Sequence, residues 1–88
     1  MKKILAEPSW GVLIIHDTDN EEMSLQCLCG GIAMYEQRVI LTPDEVEEFN
    51  AGTFDADSMV HEVCKKLPRV SGRLAPTFLP KDLTRPTK

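Results

Sequence analysis

The chain lacks any long hydrophobic run, and this bounds where the protein works. No stretch approaches the ~20 consecutive apolar residues of a membrane-spanning helix. An apolar segment at residues 4–6 follows two lysines but ends at Glu7 and Pro8, before the roughly 7 to 15 apolar residues of a secretion signal. We therefore expect a cytoplasmic protein with no role at a membrane.

Cysteine is also scarce, with Cys27, Cys29 and Cys64 as the complete set. An odd number excludes full pairing within one chain, and it favours a reducing compartment. In such a compartment a cysteine commonly acts as a small hydrophobic residue. Our first interpretation is that all three side chains fill the core.

Basic residues are scarce in the first 64 positions, which hold three of them against thirteen acids. Residues 65–88 reverse the balance with seven bases and one acid, and the whole chain carries a net charge of −4. An acidic body repels phosphate groups, which argues against nucleic-acid binding by the folded part. The basic segment either contacts an anion or lies against the acidic surface of its own molecule.

Strand patterns dominate the first half of the chain. Residues 11–16 form an apolar, β-branched run that is typical of a buried strand. Residues 22–29 alternate between two faces, as a strand does. Residues 3–6 suit a short edge strand, and the polar residues 17–21 suit a turn.

The glycine pair at residues 30–31 suits a two-residue hairpin turn. This turn places Cys29 opposite Ile32 and Leu25 opposite Glu36. The second pairing is poor, because it sets a carboxylate against an apolar side chain. Three interpretations follow from that mismatch.

The interpretation we prefer is a strand over residues 32–41 with a bulge near residues 36–38, since the bulge turns Ile40 inward. The second is a further turn at those residues, followed by a separate strand over residues 39–41. The third uses the glycines themselves as a bulge in one continuous strand.

Two helices follow with similar start signals. Thr42 predicts an N-cap, and Glu45 three residues later completes a capping box. Gly52 is a left-handed stop, so the first helix covers residues 43–51. The second helix begins after Asp55, ends before Pro68, and carries an apolar stripe of Met59, Val60, Val63, Cys64 and Leu67.

From residue 68 onward the chain is rich in proline and reads as an extended arm. The predicted fold is α+β: a mostly antiparallel sheet of three or four strands, two short helices on one face, and the C-terminal arm. We expect one domain over residues 1–83 and a disordered tail over residues 84–88.

A zinc site is the alternative interpretation of the cysteines. Cys27, Cys29, His61 and Cys64 together make a Cys₃His set, which suits tetrahedral zinc. Two observations weigh against it. A C-x-C pair in a strand separates its sulfurs by about 7 Å, and His61 lies away from the apolar stripe of its helix. Our first expectation is therefore no metal and no cofactor.

Catalytic motifs are lacking. Four polar side chains could be arranged on paper as a hydrolytic triad, but none lies in a G-x-S-x-G motif: His16, Asp17, Ser24 and Ser58. A small sheet with two short helices also offers little volume for a substrate. We do not expect an enzyme.

The leading functional hypothesis is a non-catalytic binding or regulatory module that presents an acidic surface to a basic protein partner. The surface is predicted on the first helix, at Asp44, Glu45, Glu47 and Glu48. Trp10 is interpreted as a lid on the core rather than as an interface anchor. A small sheet has unpaired edges, so a homodimer through one edge is a further hypothesis.

Overall fold

The computed structural model describes residues 1–30 and 35–84, and within them the fold is α+β. The strands are β1 (Lys2–Ser9), β2 (Val12–Asp17), β3 (Glu22–Cys29), β4 (Tyr35–Ile40), β5 (Leu74–Ala75) and β6 (Leu83–Thr84). The helices are α1 (Pro43–Ala51), α2 (Ala56–Cys64) and the four-residue α3 (Pro68–Ser71), with a 3₁₀ turn at Pro80–Asp82. No helix in this part of the chain has the length and hydrophobicity to cross a membrane.

The strands form one six-stranded sheet in the order β5-β4-β3-β2-β1-β6. Four long strands make an antiparallel meander, as the alternating pattern predicts. The prediction of three or four strands is too small, because a two-residue strand adds to each edge. One of these, β6, runs parallel to β1, so the sheet is mixed.

The predicted pairing of β3 with β4 is wrong. Cys29 lies opposite Tyr35 rather than Ile32, and Leu25 lies opposite Val39 rather than Glu36. This register sets Leu25 against another apolar side chain and is regular from Tyr35 to Ile40, so neither the bulge nor the second turn occurs. The part of the hairpin prediction that concerns residues 31–34 lies outside the described residues.

Helix α1 forms as its start signals predict. The Thr42 hydroxyl accepts a hydrogen bond from the Glu45 backbone N–H at 3.2 Å, and the Glu45 carboxylate accepts one from the Thr42 backbone N–H at 2.9 Å. These bonds satisfy two donors that the first turn leaves free. Gly52 ends the helix in the left-handed conformation, with φ of 81°.

Helix α2 is shorter than predicted. It ends at Cys64, and Lys66 takes the left-handed conformation with φ of 52°. Leu67 consequently leaves the predicted apolar stripe and is partly exposed. Pro68 does not close α2 but begins α3, whose Val70 is fully buried in the core.

One face of the sheet packs against the helices and is apolar. Leu25 and Val39 are fully buried there beside Ile14, and the helices contribute Met59 and Val63 from α2. The cluster also takes Val46 and Phe49 from α1 as partly buried side chains. The prediction of two helices on one face is confirmed.

The opposite face of the sheet is covered by the chain after β5. This segment crosses from one edge to the other, where β6 pairs with β1. It is therefore not a free extended arm: it contains a 3₁₀ turn and docks on its own domain. Thr84 belongs to β6, in contrast to the predicted tail, and residues 85–88 lie outside the described part of the chain.

The chain between β5 and β6, residues 76–82, is called the covering segment, and polar side chains of the sheet hold it in place. The Gln26 side chain donates to the Phe78 backbone carbonyl at 3.1 Å and accepts from the Phe78 backbone N–H at 2.8 Å. Arg38 donates to the Pro76 carbonyl at 2.6 Å, and its guanidinium carbon lies 4.0 Å from the centre of the Phe78 ring. Hydrogen bonds and a cation–π contact therefore hold the covering segment on this face of the sheet.

Candidate functional site

The acidic residues of α1 do not all reach the surface. Asp44, Glu47 and Glu48 are exposed, and their spacing of three and four residues places them on one side of the helix. Glu45 directly follows Asp44, so it points to a different side of the helix, and it is buried with 8% of its surface exposed. Three of the four predicted residues therefore present a charged face to solvent, and Glu45 does not.

Glu45 is instead paired inside the domain. Arg73 donates to its two carboxylate oxygens at 2.8 and 3.3 Å, and Arg69 lies 3.9 Å from one of them. Burial raises the pKa of Glu45, but the bonds from Arg73 and Thr42 and the two positive charges outweigh it and lower the pKa from its ordinary value. This carboxylate fastens α1 to the segment before β5.

A hollow of about 420 Å³ lies between the end of β1, at Pro8 and Ser9, and the connection between α1 and α2. Asp55 and Asp57 are its charged lining residues, and none of the described residues that line it is basic. The Ser58 backbone and hydroxyl donate to Asp55 at 3.0 and 2.9 Å, and these bonds lower the pKa of Asp55. The hollow is therefore acidic.

A second hollow of about 220 Å³ shares Phe54 and Asp55 with the first. Glu48 of α1 also lines it, together with Arg69. The exposed acidic side of α1 is thus continuous with the two carboxylates at the start of α2. We call the set of Trp10, Glu48, Asp55 and Asp57, flanked by Asp44 and Glu47, the acidic surface.

Trp10 is not a core lid, because 81% of its surface is exposed. It lies in the two-residue turn that joins Ser9 to Val12, and Ser9, its neighbour in the chain, lines the hollow of about 420 Å³. Gly11 makes this turn possible, with φ of 76° and with Leu28 so near that an added Cβ would lie 3.0 Å from its Cδ1 atom. The backbone packs there, and the indole stays in solvent.

The three cysteines meet at the junction of β3 and α2. Their sulfur atoms all lie within 4.8 Å of one another. Cys29 and Cys64 are joined by a disulfide, and the Cys27 sulfur lies 4.0 Å from that of Cys29. The expectation that all three are core filler is therefore wrong for two of them, and the expected separation of about 7 Å across the C-x-C pair is too large.

Cys27 is the one free cysteine, and it is fully buried. Burial, with a smaller effect from the charge of Glu36, raises the pKa of its thiol to about 11. A protonated, buried thiol is a poor nucleophile.

His61 stands at the edge of the cysteine cluster rather than in it. It is exposed on α2, one turn before Cys64, and lines a hollow of about 490 Å³ together with Cys29 and Cys64. Asp57 lines the same hollow and also the larger acidic one. The cysteine cluster and the acidic surface are therefore neighbours along α2.

The four side chains considered for a hydrolytic triad are engaged separately. His16 lies 3.7 Å from Glu21, and Asp17 accepts hydrogen bonds from the turn that follows it. Ser24 accepts a bond from Arg38 on the sheet face under the covering segment, and Ser58 donates to Asp55.

Sequence reasoning misses two features of this region. Residue type alone predicts Trp10 in the core, although the glycine that follows it between two apolar strands is a turn signal that the sequence carries. The meeting of Cys29 with Cys64 depends on how α2 crosses the end of β3, and no local pattern records that crossing.

Comparison of the chain with protein-family models, with curated proteins and with solved structures gives no significant match.

Proposed function

We propose that the protein is a non-catalytic binding module whose acidic surface docks a basic protein partner. The observation that carries this proposal is an exposed tryptophan, Trp10, that directly follows Ser9, a lining residue of the hollow whose charged residues Asp55 and Asp57 are both acidic. At an interface, a tryptophan supplies apolar contact area, and carboxylates attract a positively charged partner. Both features are present here.

Charge sets the chemistry of the partner. Asp44, Glu47 and Glu48 are exposed on one side of α1, and Asp55 and Asp57 continue the negative field to the hollow. Such a field speeds encounter with a positively charged protein and disfavours acidic partners. A lysine or arginine side chain of the partner suits a hollow of about 420 Å³ that holds two carboxylates.

Trp10 supplies the apolar anchor. Tryptophan is rarely so exposed in a folded domain, and it is the residue type most enriched among interface residues that dominate binding energy. It follows Ser9 in the chain, and the Ser9 hydroxyl lines the charged hollow and donates to Asp57 at 3.4 Å. A basic partner with an apolar contact surface therefore fits both halves of the acidic surface.

The test is affinity capture from a cell extract, followed by identification, purification and calorimetric titration of the captured protein. We expect a basic protein whose affinity falls as salt is raised. Trp10→Ala should weaken binding about 30-fold, the equivalent of about 2 kcal/mol for an anchor residue. Glu48→Lys should weaken it about fivefold or more by introducing repulsion.

Two matched controls accompany these variants. Glu21→Lys makes the same charge change at the β2–β3 turn, at the other end of β2 from Trp10. Leu79→Ala removes an exposed apolar side chain from the covering segment. Binding that ignores Trp10→Ala and Glu48→Lys, or that responds equally to the controls, contradicts the proposal.

The test must also distinguish a basic protein partner from a second copy of the same chain. Beyond the residues that β5 and β6 cover, the described edges of β4 and β1 have no strand partner in the sheet. Sedimentation of the purified protein measures self-association directly. A dimer unaffected by Glu48→Lys and Trp10→Ala, with no other protein bound, would favour the edge-to-edge homodimer over the binding module.

A further inference from the structure

We propose that Cys27, Cys29, Cys64 and His61 form a Zn²⁺ site that is open only when the Cys29–Cys64 disulfide is reduced. Metal and disulfide are then alternative states of the same cluster. The proposal does not depend on the acidic surface, and a separate measurement tests it.

The sulfur positions carry the argument. Two thiolates on one tetrahedral zinc lie about 3.8 Å apart, given Zn–S bonds of about 2.3 Å. The sulfurs of Cys27 and Cys29 are already 4.0 Å apart, and all three sulfurs lie within 4.8 Å of one another. The Cα atoms of Cys29 and Cys64 are 5.2 Å apart, so side-chain rotation after reduction brings both sulfurs to one ion.

The fourth ligand is His61. It precedes Cys64 by three residues on α2, and residues at that spacing are neighbours on a helix surface. Its side chain lines the hollow of about 490 Å³ into which Cys29 and Cys64 also face. That hollow is the entry path for the ion, with Cys27 on the inner side of the cluster and His61 on the outer side.

The change of state is a two-electron reduction. A cellular dithiol gives two electrons and two protons to the Cys29–Cys64 disulfide, which becomes two thiols, and the dithiol becomes a disulfide. Binding of Zn²⁺ then releases one proton from each of the three thiols and forms three Zn–S bonds. In the reverse direction, a cellular disulfide takes two electrons from the Cys29 and Cys64 thiolates and two protons from solvent, and becomes a dithiol. The Cys29–Cys64 bond re-forms, two Zn–S bonds break, and the ion leaves.

The experiment uses the full chain and Co²⁺ as a spectroscopic probe, with Zn²⁺ then added in competition. We expect the reduced protein to bind one equivalent of Co²⁺, with thiolate charge-transfer and tetrahedral ligand-field absorption that Zn²⁺ abolishes. The oxidised protein should show neither band. Absence of these bands in the reduced, folded protein overturns the proposal.

Cys27→Ser is the decisive variant, because Cys27 takes no part in the disulfide. It should keep the Cys29–Cys64 bond and the fold, measured by mass and circular dichroism, and lose Zn²⁺ affinity at least about 100-fold. Cys27→Ala repeats the test without an oxygen donor. Wild-type affinity in both variants means that the cysteines serve only as a cross-link, and the proposal fails.

The two histidines provide a matched pair. His61→Gln should lower Zn²⁺ affinity at least about tenfold and alter the ligand-field absorption of bound Co²⁺. His16→Gln makes the same change at a half-buried position beside Glu21 and should leave both unchanged. An equal response of the two variants removes His61 from the site and overturns the proposed ligand set.

Discussion

The two faces of the sheet are buried by different means. The face under the helices is filled by aliphatic side chains such as Leu25, Val39 and Ile14. The face under the C-terminal segment buries the polar side chains Gln26 and Arg38 alongside the aliphatic Ile4 and Ile15. Every buried side-chain nitrogen and oxygen atom among the described residues has a hydrogen-bond partner.

The difference follows from what covers each face. Helices satisfy their own backbone groups, so they need only an apolar surface to pack against. An irregular segment leaves its N–H and C=O groups free, and the sheet must supply partners for them. Gln26 and Arg38 do so at Phe78 and Pro76, which fixes where the segment crosses.

The largest expected effect is on the helix-covered face. Leu25→Ala removes a fully buried side chain from the centre of the core and should lower the free energy of unfolding by about 3 kcal/mol. Urea denaturation measures the change. Leu5→Ala, at an exposed position of β1, is the control and should change stability by less than about 0.5 kcal/mol. Equal losses in the two variants would contradict the assigned core.

A smaller effect is expected on the other face. Gln26→Leu leaves the backbone N–H and C=O of Phe78 without their partners and should cost about 2 kcal/mol. Hydrogen exchange at Phe78 should quicken while exchange in β3 stays slow. The control Gln37→Leu makes the same change on the helix-side face, where the Gln37 side chain forms no hydrogen bond with residues 1–30 or 35–84. Unchanged exchange at Phe78 would show that the hydrogen bonds from Gln26 do not hold the C-terminal segment on the sheet.

The smallest effect is expected for the ion pair between Glu45 and Arg73, which joins α1 to the residue before β5. Glu45→Gln should destabilise the protein by about 1 kcal/mol at pH 7, since it weakens the bonds from Arg73. The folded pKa of Glu45 is lowered, so the stabilisation is complete above the unfolded value of about 4.5 and is lost as pH falls through the folded pKa.

The difference in unfolding free energy between wild type and Glu45→Gln should therefore shrink as pH is lowered below 4.5. Denaturation at several pH values measures it. Glu47→Gln, at the exposed neighbouring position, should show little difference at any pH. A difference that grows on acidification would contradict the assigned pairing of Glu45 with Arg73.

In the helix-covered half of the fold, the elements with local signals were predictable, whereas the register of β3 with β4 and the end of α2 were not. The bounds of β3 and α1 match the predicted ones, and the capping box of Thr42 and Glu45 forms as expected. The second face was not predictable. β5 and β6 have two residues each, and their pairing depends on contacts between distant parts of the chain that leave no periodic pattern.

In the candidate site, too, features with a local sequence signal were predictable and features that depend on distant contacts were not. Exposure of Asp44, Glu47 and Glu48 follows from helix periodicity, whereas burial of Glu45 depends on Arg73, which lies 28 residues away. Residue type alone indicates that the cysteines are a possible ligand set. Their convergence, and the bond between Cys29 and Cys64, required the three-dimensional crossing of α2 over β3.

The parallel pairing of β6 with β1 has a consequence for the order of folding. Lys2 meets Leu83, so this contact closes almost the entire described chain into one loop. Closing so long a loop is entropically costly, and only two residues of ladder compensate for it. The meander and its helices should assemble first, and the β1–β6 seam should be the last to form and the first to open.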